Sequence, residues 1–252
     1  MLTKRRIELV KSLGRGRITR RTVEILKNIP IRLDFNELAK RLRFKPGGSG
    51  SPNLEELVEI AQSLIEPRAV FQASFTGEKR KNTVTVDGVV FSSRVLRVNL
   101  EKAHKVFPYV LTVGKALEEK ASSFHDLLRQ YFLEEIANIA LGKALQLLGE
   151  QIRKEHGLPQ LSDMSPGSLE DWPITEQPKL FSLFGDTEKS VGVRLTESLL
   201  MIPRKSISGI LFPTEETFLS CQLCPRHVCE GRRAPYDRVL RKKYLDESSN
   251  QA

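Results

Sequence analysis

The chain has 252 residues, 40% of them apolar and 28% charged, which is enough for one large domain or a domain with a small appendage. No apolar run approaches the roughly 18 to 20 residues that cross a bilayer. The basic residues among the first six are not followed by an apolar stretch, so no secretory leader is expected and the expected compartment is the cytoplasm. The formal net charge of +9 is uneven: residues 1–45 hold 14 Lys and Arg against 4 Asp and Glu, while the remainder holds 26 against 27. A basic segment attracts polyanions. With Phe35 and Phe44 as its only aromatics and no DNA-reading motif, it reads as a solvated basic face, and nucleic-acid binding is not expected.

Residues 1–42 read as helical. Ile7, Leu9, Val10 and Leu13, then Val23, Ile25, Leu26 and Ile29, recur at helical intervals around Gly14 and Gly16, and Pro30 ends the pattern. Asp34, with Glu37 three residues on, predicts a capped short helix through residue 43. Residues 46–52, Pro-Gly-Gly-Ser-Gly-Ser-Pro, read as a flexible connector, and Asn53 caps a helix through residue 64. The apolar period then shortens. Strands are predicted at 70–75, 84–86 and 89–91, with Asp87-Gly88 as a tight hairpin turn. A short helix follows at 96–100 and a strand at 106–112, closed by Gly114. Residues 116–155 read as a long helical stretch interrupted near Ser122, and 127–152 carry a broad apolar face suited to lie on a sheet. Residues 164–178 are irregular. A short helix at 180–184, strand or turn segments at 191–195 and 199–202, and a strand at 206–212 lead into three cysteines. Strands and long helices do not alternate, so the class is α+β: a largely antiparallel sheet with helices on one side. The expected organisation is a basic helical segment (1–45), a connector (46–52), an α+β body (53–219) and a cysteine cluster with a basic tail (220–252).

Three stretches carry a family resemblance. The first is Thr112-Val113-Gly114 with Leu117-Glu118, leading into the long helix. The second is Met164-Ser165-Pro166-Gly167-Ser168-Leu169-Glu170-Asp171-Trp172-Pro173, followed by Glu176-Gln177 and Leu180-Phe181. The third is Gly192-Val193-Arg194-Leu195-Thr196-Glu197-Ser198, then Met201-Ile202-Pro203 and Ser206-Ile207-Ser208-Gly209. Each piece alone is weak. In this order, over about residues 70–218, they resemble the activation domain of cobalamin-dependent methionine synthase.

The resemblance implies a curved, mostly antiparallel sheet with flanking helices, and S-adenosylmethionine as a ligand. It implies that the domain sits over a corrinoid carried by another protein while an inactive cobalamin is reduced and methylated, supplying proximity instead of acid–base catalysis. A standalone copy would serve a corrinoid-binding protein or a core methionine synthase, with a reductase or flavodoxin as electron source. The residues so implicated are Ser165, Pro166, Gly167, Ser168, Leu169 and Trp172, with Ser206, Ser208 and Gly209. The sequence departs from the family at Met164, where the family loop begins with Arg, at Ser168-Leu169 in place of Gly-Tyr, and at Gly142 in place of a helix carboxylate. These changes remove partners for a carboxylate and a ring. The backbone of residues 165–168 is left to face an anion. The alternative is a scaffold or redox adaptor for a corrinoid protein that binds no S-adenosylmethionine. Read without the resemblance, the loop is a Pro-rich connector, Trp172 a packing residue, Ser206 and Ser208 exposed alternates on a strand, and Glu197 a surface partner of Arg194 or Arg204.

Cys221, Cys224 and Cys229 form C-x2-C-x4-C with His227 inside. An odd, tight cluster argues against a disulfide framework. The first pair has a chelating spacing, so zinc, with His227 as fourth ligand, or an iron–sulfur cluster is a candidate, against three reduced thiols in a turn. No catalytic triad, Gly-x-Gly-x-x-Gly or phosphate loop is present.

Overall fold

The computed structural model describes residues 3–8, 22–44, 52–229 and 231–245. In chain order the elements are β1 (Thr3–Glu8), β2 (Thr22–Lys27), α1 (Phe35–Arg41), α2 (Leu54–Leu64), β3 (Arg68–Gln72), β4 (Ser74–Arg80), β5 (Thr83–Val86), β6 (Val89–Ser92), α3 (Arg94–Asn99), β7 (Lys105–Thr112), α4 (Ala116–Ser122), α5 (Leu127–His156), β8 (Leu161–Met164), α6 (Gln177–Phe181), α7 (Thr187–Val191), β9 (Arg194–Leu195), β10 (Met201–Ile202), β11 (Ser206–Pro213) and α8 (Arg238–Leu245).

The sheet is organised by β7, which is buried along nearly its whole length. It pairs antiparallel with β11 on one side and with β3 and β4 on the other. The register of Arg68 with Thr112 continues unchanged into Ser74 with Val106, so β3 and β4 act as one long strand interrupted at Ala73. Beyond it, β2 and then β1 extend the β3 half, while the β5–β6 hairpin extends the β4 half. Strand β8 closes the other edge against β11. The hairpin turn has Asp87 at φ 48° and Gly88 at φ 83°, both left-handed as a two-residue turn between twisted strands requires.

Alternation sorts side chains to two faces. Ala69, Phe71, Phe107, Tyr109 and Leu111 meet Ala140, Ala144, Leu148 and Ile152 of α5. Val70, Val106, Val110, Ile210 and Phe212 point the other way, against Val95 and Leu96 of α3, Leu180 of α6 and Val191 of α7. A third cluster joins α1, α2, α4 and the first half of α5 through Leu38, Leu57, Leu117 and Leu133. Helices therefore flank both faces, where the sequence reading placed them on one. The reason is that the strands carry apolar residues at both parities, so each face must be covered. Two helix caps follow the predicted residues, Asp34 and Asn53 accepting from Glu37 N (2.8 Å) and Glu56 N (3.2 Å), and Asp126 caps α5 by accepting from Leu128 N (2.8 Å).

The helical reading of residues 1–42 fails at 3–8 and 22–27, which are strands. Val23 and Ile25 join the α3 side of the core while Leu26 joins the α5 side. The set Val23, Ile25, Leu26 fits a helical stripe equally well. The period-two reading wins because β3 offers an open edge for pairing. Strands β1 and β2 are thus part of the main sheet, and only α1 of the expected helical segment is helix among the described residues. Its residues 9–21, and 46–51 of the expected connector, lie outside the described residues. Residues 187–191, read in part as strand, are helix α7, capped by Asp186 and ended by Gly192 at φ 77°.

Candidate functional site

The loop after β8 is a clamp. Ser168 donates both its N–H (3.1 Å) and its Oγ–H (2.6 Å) to the Ser165 carbonyl. With Pro166 second and Gly167 third at φ 84°, this is the chemistry of a type II turn. Gly167 N donates to the Trp172 carbonyl (2.7 Å) and Trp172 N to the Leu169 carbonyl (3.1 Å), so the loop folds back on itself. These bonds consume the N–H groups of Gly167 and Ser168, and Pro166 has none. The expectation that residues 165–168 present backbone donors to an anion is therefore corrected for 166–168.

The charged residues of the same motif anchor the loop to its neighbours. Asp171 accepts from Ser93 Oγ, Arg94 N (3.2 Å) and Val95 N (2.9 Å), tying it to the start of α3. Glu176 accepts from Ser92 N (2.8 Å) at the end of β6 and pairs with Lys179 (2.6 Å). Gln177 Nε2 donates to Ser208 Oγ of β11 (3.1 Å). Loop, hairpin, α3 and central sheet are thereby locked together.

Several residues expected at a ligand are instead internal. Trp172 is fully buried, edge-on to Phe91 at 6.0 Å and 87°. Its Nε1 has no partner among the described residues. Ser206 and Ser208 are buried, not exposed alternates, and Ser206 Oγ donates to the Pro203 carbonyl (2.7 Å). Gly209 sits opposite Tyr109 on β7. A side chain there would press on the Met164 carbonyl oxygen and lie 2.9 Å from both Ser165 Oγ and Tyr109 Oη, so the glycine is the slot that Tyr109 crosses. Burial pushes the Tyr109 phenol well above its ordinary range, and the negative charge of Asp163 adds to this, while Ser165 works against it. Met164 is fully buried, with Asn99 Nδ2 on its sulfur at 3.2 Å. Leu169 is also buried.

An open cavity of about 540 Å³ lies on the outer side of the clamp. One wall is Gly167, Ser168, Leu169 and the carboxylates of Glu170 and Asp171. The facing wall is the turn Leu223, Cys224, Pro225 and Arg226, with Arg241 and Leu245 of α8 and Val95 of α3 completing it. Gly142 is elsewhere. It lines a separate groove of about 930 Å³ between α5 and the β8–β11 edge. The position where the family carries a helix carboxylate therefore does not converge with the loop wall.

The cysteine cluster is organised by a guanidinium. Arg232 Nη1 donates to the carbonyls of Cys221 (3.2 Å) and Ala234 (3.3 Å), and Nη2 to those of Cys224 (3.4 Å) and Arg226. Cys221 Sγ accepts from Arg233 N (3.4 Å). Cys221 and Cys224 are half-buried free thiols and Cys229 is exposed. Among the described residues no three His, Cys, Asp or Glu side chains gather as a metal ion needs. The expected zinc or iron–sulfur site, with or without His227, is not assembled by these residues: their side chains do not converge, and it is the backbone carbonyls of the turn that gather, on Arg232. At the surface, Arg194 meets Glu188 (3.8 Å), and Arg204 meets Glu118 (2.6 Å) and Glu134 (3.1 Å); neither pairs with Glu197 as expected. These two glutamates hold the Arg204 guanidinium above its usual range.

Sequence reasoning missed β8, α8, the Ser93 cap of α3 with Asp171 behind it, and Arg232. Ser93 two residues before Val95 was a readable cap signal, and Leu240, Tyr244 and Leu245 were a readable stripe. No signal in the sequence announced Arg232.

The fold and loop define an α+β domain whose Pro- and Gly-rich clamp, fixed between α3, β6 and β11, forms one wall of the 540 Å³ cavity. The family described as vitamin B12 dependent methionine synthase, activation domain, matches residues 166–222, which span this clamp, β9 to β11 and the first cysteine. The crystal structure of the MetH reactivation domain bound to AdoHcy is similar, with TM-score 0.49 and 17% identity over 78% of this chain and 81% of that one. No curated protein matches the chain. Among the described residues no helix is long and apolar enough to cross a membrane.

Proposed function

We propose that the chain is an accessory factor in the reductive reactivation of a cobalamin-dependent methyltransferase, presenting S-adenosylmethionine to a corrinoid held by a separate protein. One observation carries this reading: the activation-domain match at residues 166–222 falls on the clamp that walls the cavity. The cavity fits the ligand class. Its volume lies in the roughly 300–1,000 Å³ range of small-molecule sites, and its lining combines apolar Leu169 and Leu245 with charged residues of both signs. Bound S-adenosylmethionine would supply the methyl group. The chain's own part is positional. Asp171, Glu176 and Gln177 fix the clamp against the sheet, and a fixed wall holds a donor in one orientation at little entropic cost. The partner would be a corrinoid-binding protein or a core methionine synthase in the cytoplasm, with a reductase or flavodoxin supplying the electron. No step is assigned to a metal at the cysteines, whose geometry does not suit one.

A second reading is a corrinoid-protein scaffold or redox adaptor that binds no donor. The burial of Met164 and Leu169 favours it, since neither offers a polar group to a ligand. Calorimetry with S-adenosylmethionine, and cross-linking to a corrinoid protein, separate the two. Binding of both supports the first reading, partner binding alone supports the second, and loss of both defeats each.

A further inference from the structure

We propose that the turn at 223–226 and helix α8 complete the cavity and that Arg226 and Arg241 recognise the carboxylate of the ligand held there. This rests on the reading of the cavity as the site of an amino-acid-bearing nucleoside. Counting spent donors and acceptors leads to it. Of the two carboxylates on the clamp wall, Asp171 is committed to three donors of α3, so Glu170 alone remains to face the cavity. Opposite stand two guanidiniums. Arg241 spends Nη1 on the Leu223 carbonyl (2.9 Å), which aims its fork along the cavity wall and leaves further N–H groups. Arg226 is exposed, and only its backbone carbonyl is bonded among the described residues. Formal charge balances, two against two, but the Asp171 oxygens are taken up by donors at the start of α3, so guanidinium donors stay unspent, and a guanidinium pair suits a carboxylate through charge-assisted, two-pronged hydrogen bonds.

The segment that brings these arginines is a built structure. Arg232 gathers four carbonyls of the turn. Leu223 is fully buried. Helix α8 is held by Arg94 Nε on the Tyr244 carbonyl (3.0 Å), by Tyr244 Oη on Asn99 (3.0 Å) and by the Tyr244 ring against Phe218 at 5.4 Å. An apolar body can rest on Leu245 and the accessible edge of Leu169 while an anionic end meets the arginines. The Cys224 thiol on the same wall provides a reporter.

The test uses the full chain and two probes sharing one nucleoside, S-adenosylhomocysteine and 5′-methylthioadenosine, which lacks the carboxylate. Calorimetry should show S-adenosylhomocysteine bound at least about tenfold tighter. Arg226→Ala and Arg241→Ala should each weaken it by about 10- to 100-fold, the worth of a charge-assisted hydrogen bond, and leave 5′-methylthioadenosine unchanged. Arg241 also supports the turn, so Arg226→Ala, at an exposed side chain, is the decisive variant. In a Cys221→Ser, Cys229→Ser background, S-adenosylhomocysteine should slow alkylation of Cys224. Equal affinity for the two probes, or unaltered affinity in folded Arg226→Ala, overturns the assignment while leaving the nucleoside reading intact. If the folded wild-type chain binds neither probe, that reading itself falls and takes the arginine pair with it.

Discussion

Replacing Gly209 by Ala tests the arrangement of the three strands that carry the clamp. At this position β11 lies between Tyr109 of β7 and the end of β8. The added carbon would meet Tyr109 Oη and Ser165 Oγ at 2.9 Å each and collide with the Met164 carbonyl. A side-chain hydroxyl can swing away, but a backbone carbonyl can yield only by moving β8 or breaking its ladder. Overpacking costs about 1–3 kcal/mol, and a backbone obstacle places this case near about 2–3 kcal/mol. For a chain of this size that lowers Tm by about 5–10 °C. The same substitution at Gly142, in mid-α5 with nothing within 4 Å of the new carbon, should instead stabilise by about 0.5–1 kcal/mol, the helix cost of glycine. Thermal and urea unfolding followed by fluorescence of Trp172, the single tryptophan, reads both. A Gly209→Ala protein as stable as wild type, or two substitutions acting in the same direction, would refute the strand arrangement.

Other substitutions probe the clamp and the charges around it. Asp171→Ala should destabilise by about 1–3 kcal/mol, because it strands the N–H groups of Arg94 and Val95; hydrogen exchange at those two amides should accelerate, and an unchanged rate would remove Asp171 from the anchoring role. Tyr109 should resist ionisation. Its folded pKa is raised above the ordinary value of 10.0, so its contribution to stability is intact below about pH 10 and is lost as pH rises above it. In spectrophotometric titration of the four tyrosines, one should ionise only on unfolding, and Tyr109→Phe should flatten the alkaline loss of stability. Arg204→Ala should cost no more than about 1 kcal/mol, since the guanidinium is half exposed beside Glu118 and Glu134. The loss should shrink in high salt, and a large, salt-independent loss in denaturant titrations would contradict this.

Local chemistry made much of the fold readable. Asp34, Asn53 and the Asp87-Gly88 pair act within three or four residues of themselves, so their caps and turn were legible. So were β7 and α5, whose apolar patterns are long. What failed lacked a local signal. Residues 22–27 are strand because β3 needs a neighbour, and Leu161–Met164 is strand because β11 does. Of the site, the loop was found through its Pro and Gly residues, but the roles within it were not. Trp172, Ser206, Ser208 and Gly209 read as ligand contacts and are internal, because a short motif does not reveal which side of a sheet it faces.

By itself the sequence determined the elements stabilised by near neighbours, the α+β class and the position of the Ser-Pro-Gly clamp, since caps, turns and periodicity are encoded within a few residues. The tertiary structure alone decided which strand edges were filled, that both faces of the sheet were covered, and that Arg226 and Arg241 stand across a cavity from Gly167–Asp171. Those outcomes join residues tens of positions apart, and burial and hydrogen bonding settle such pairings only once the whole chain has packed.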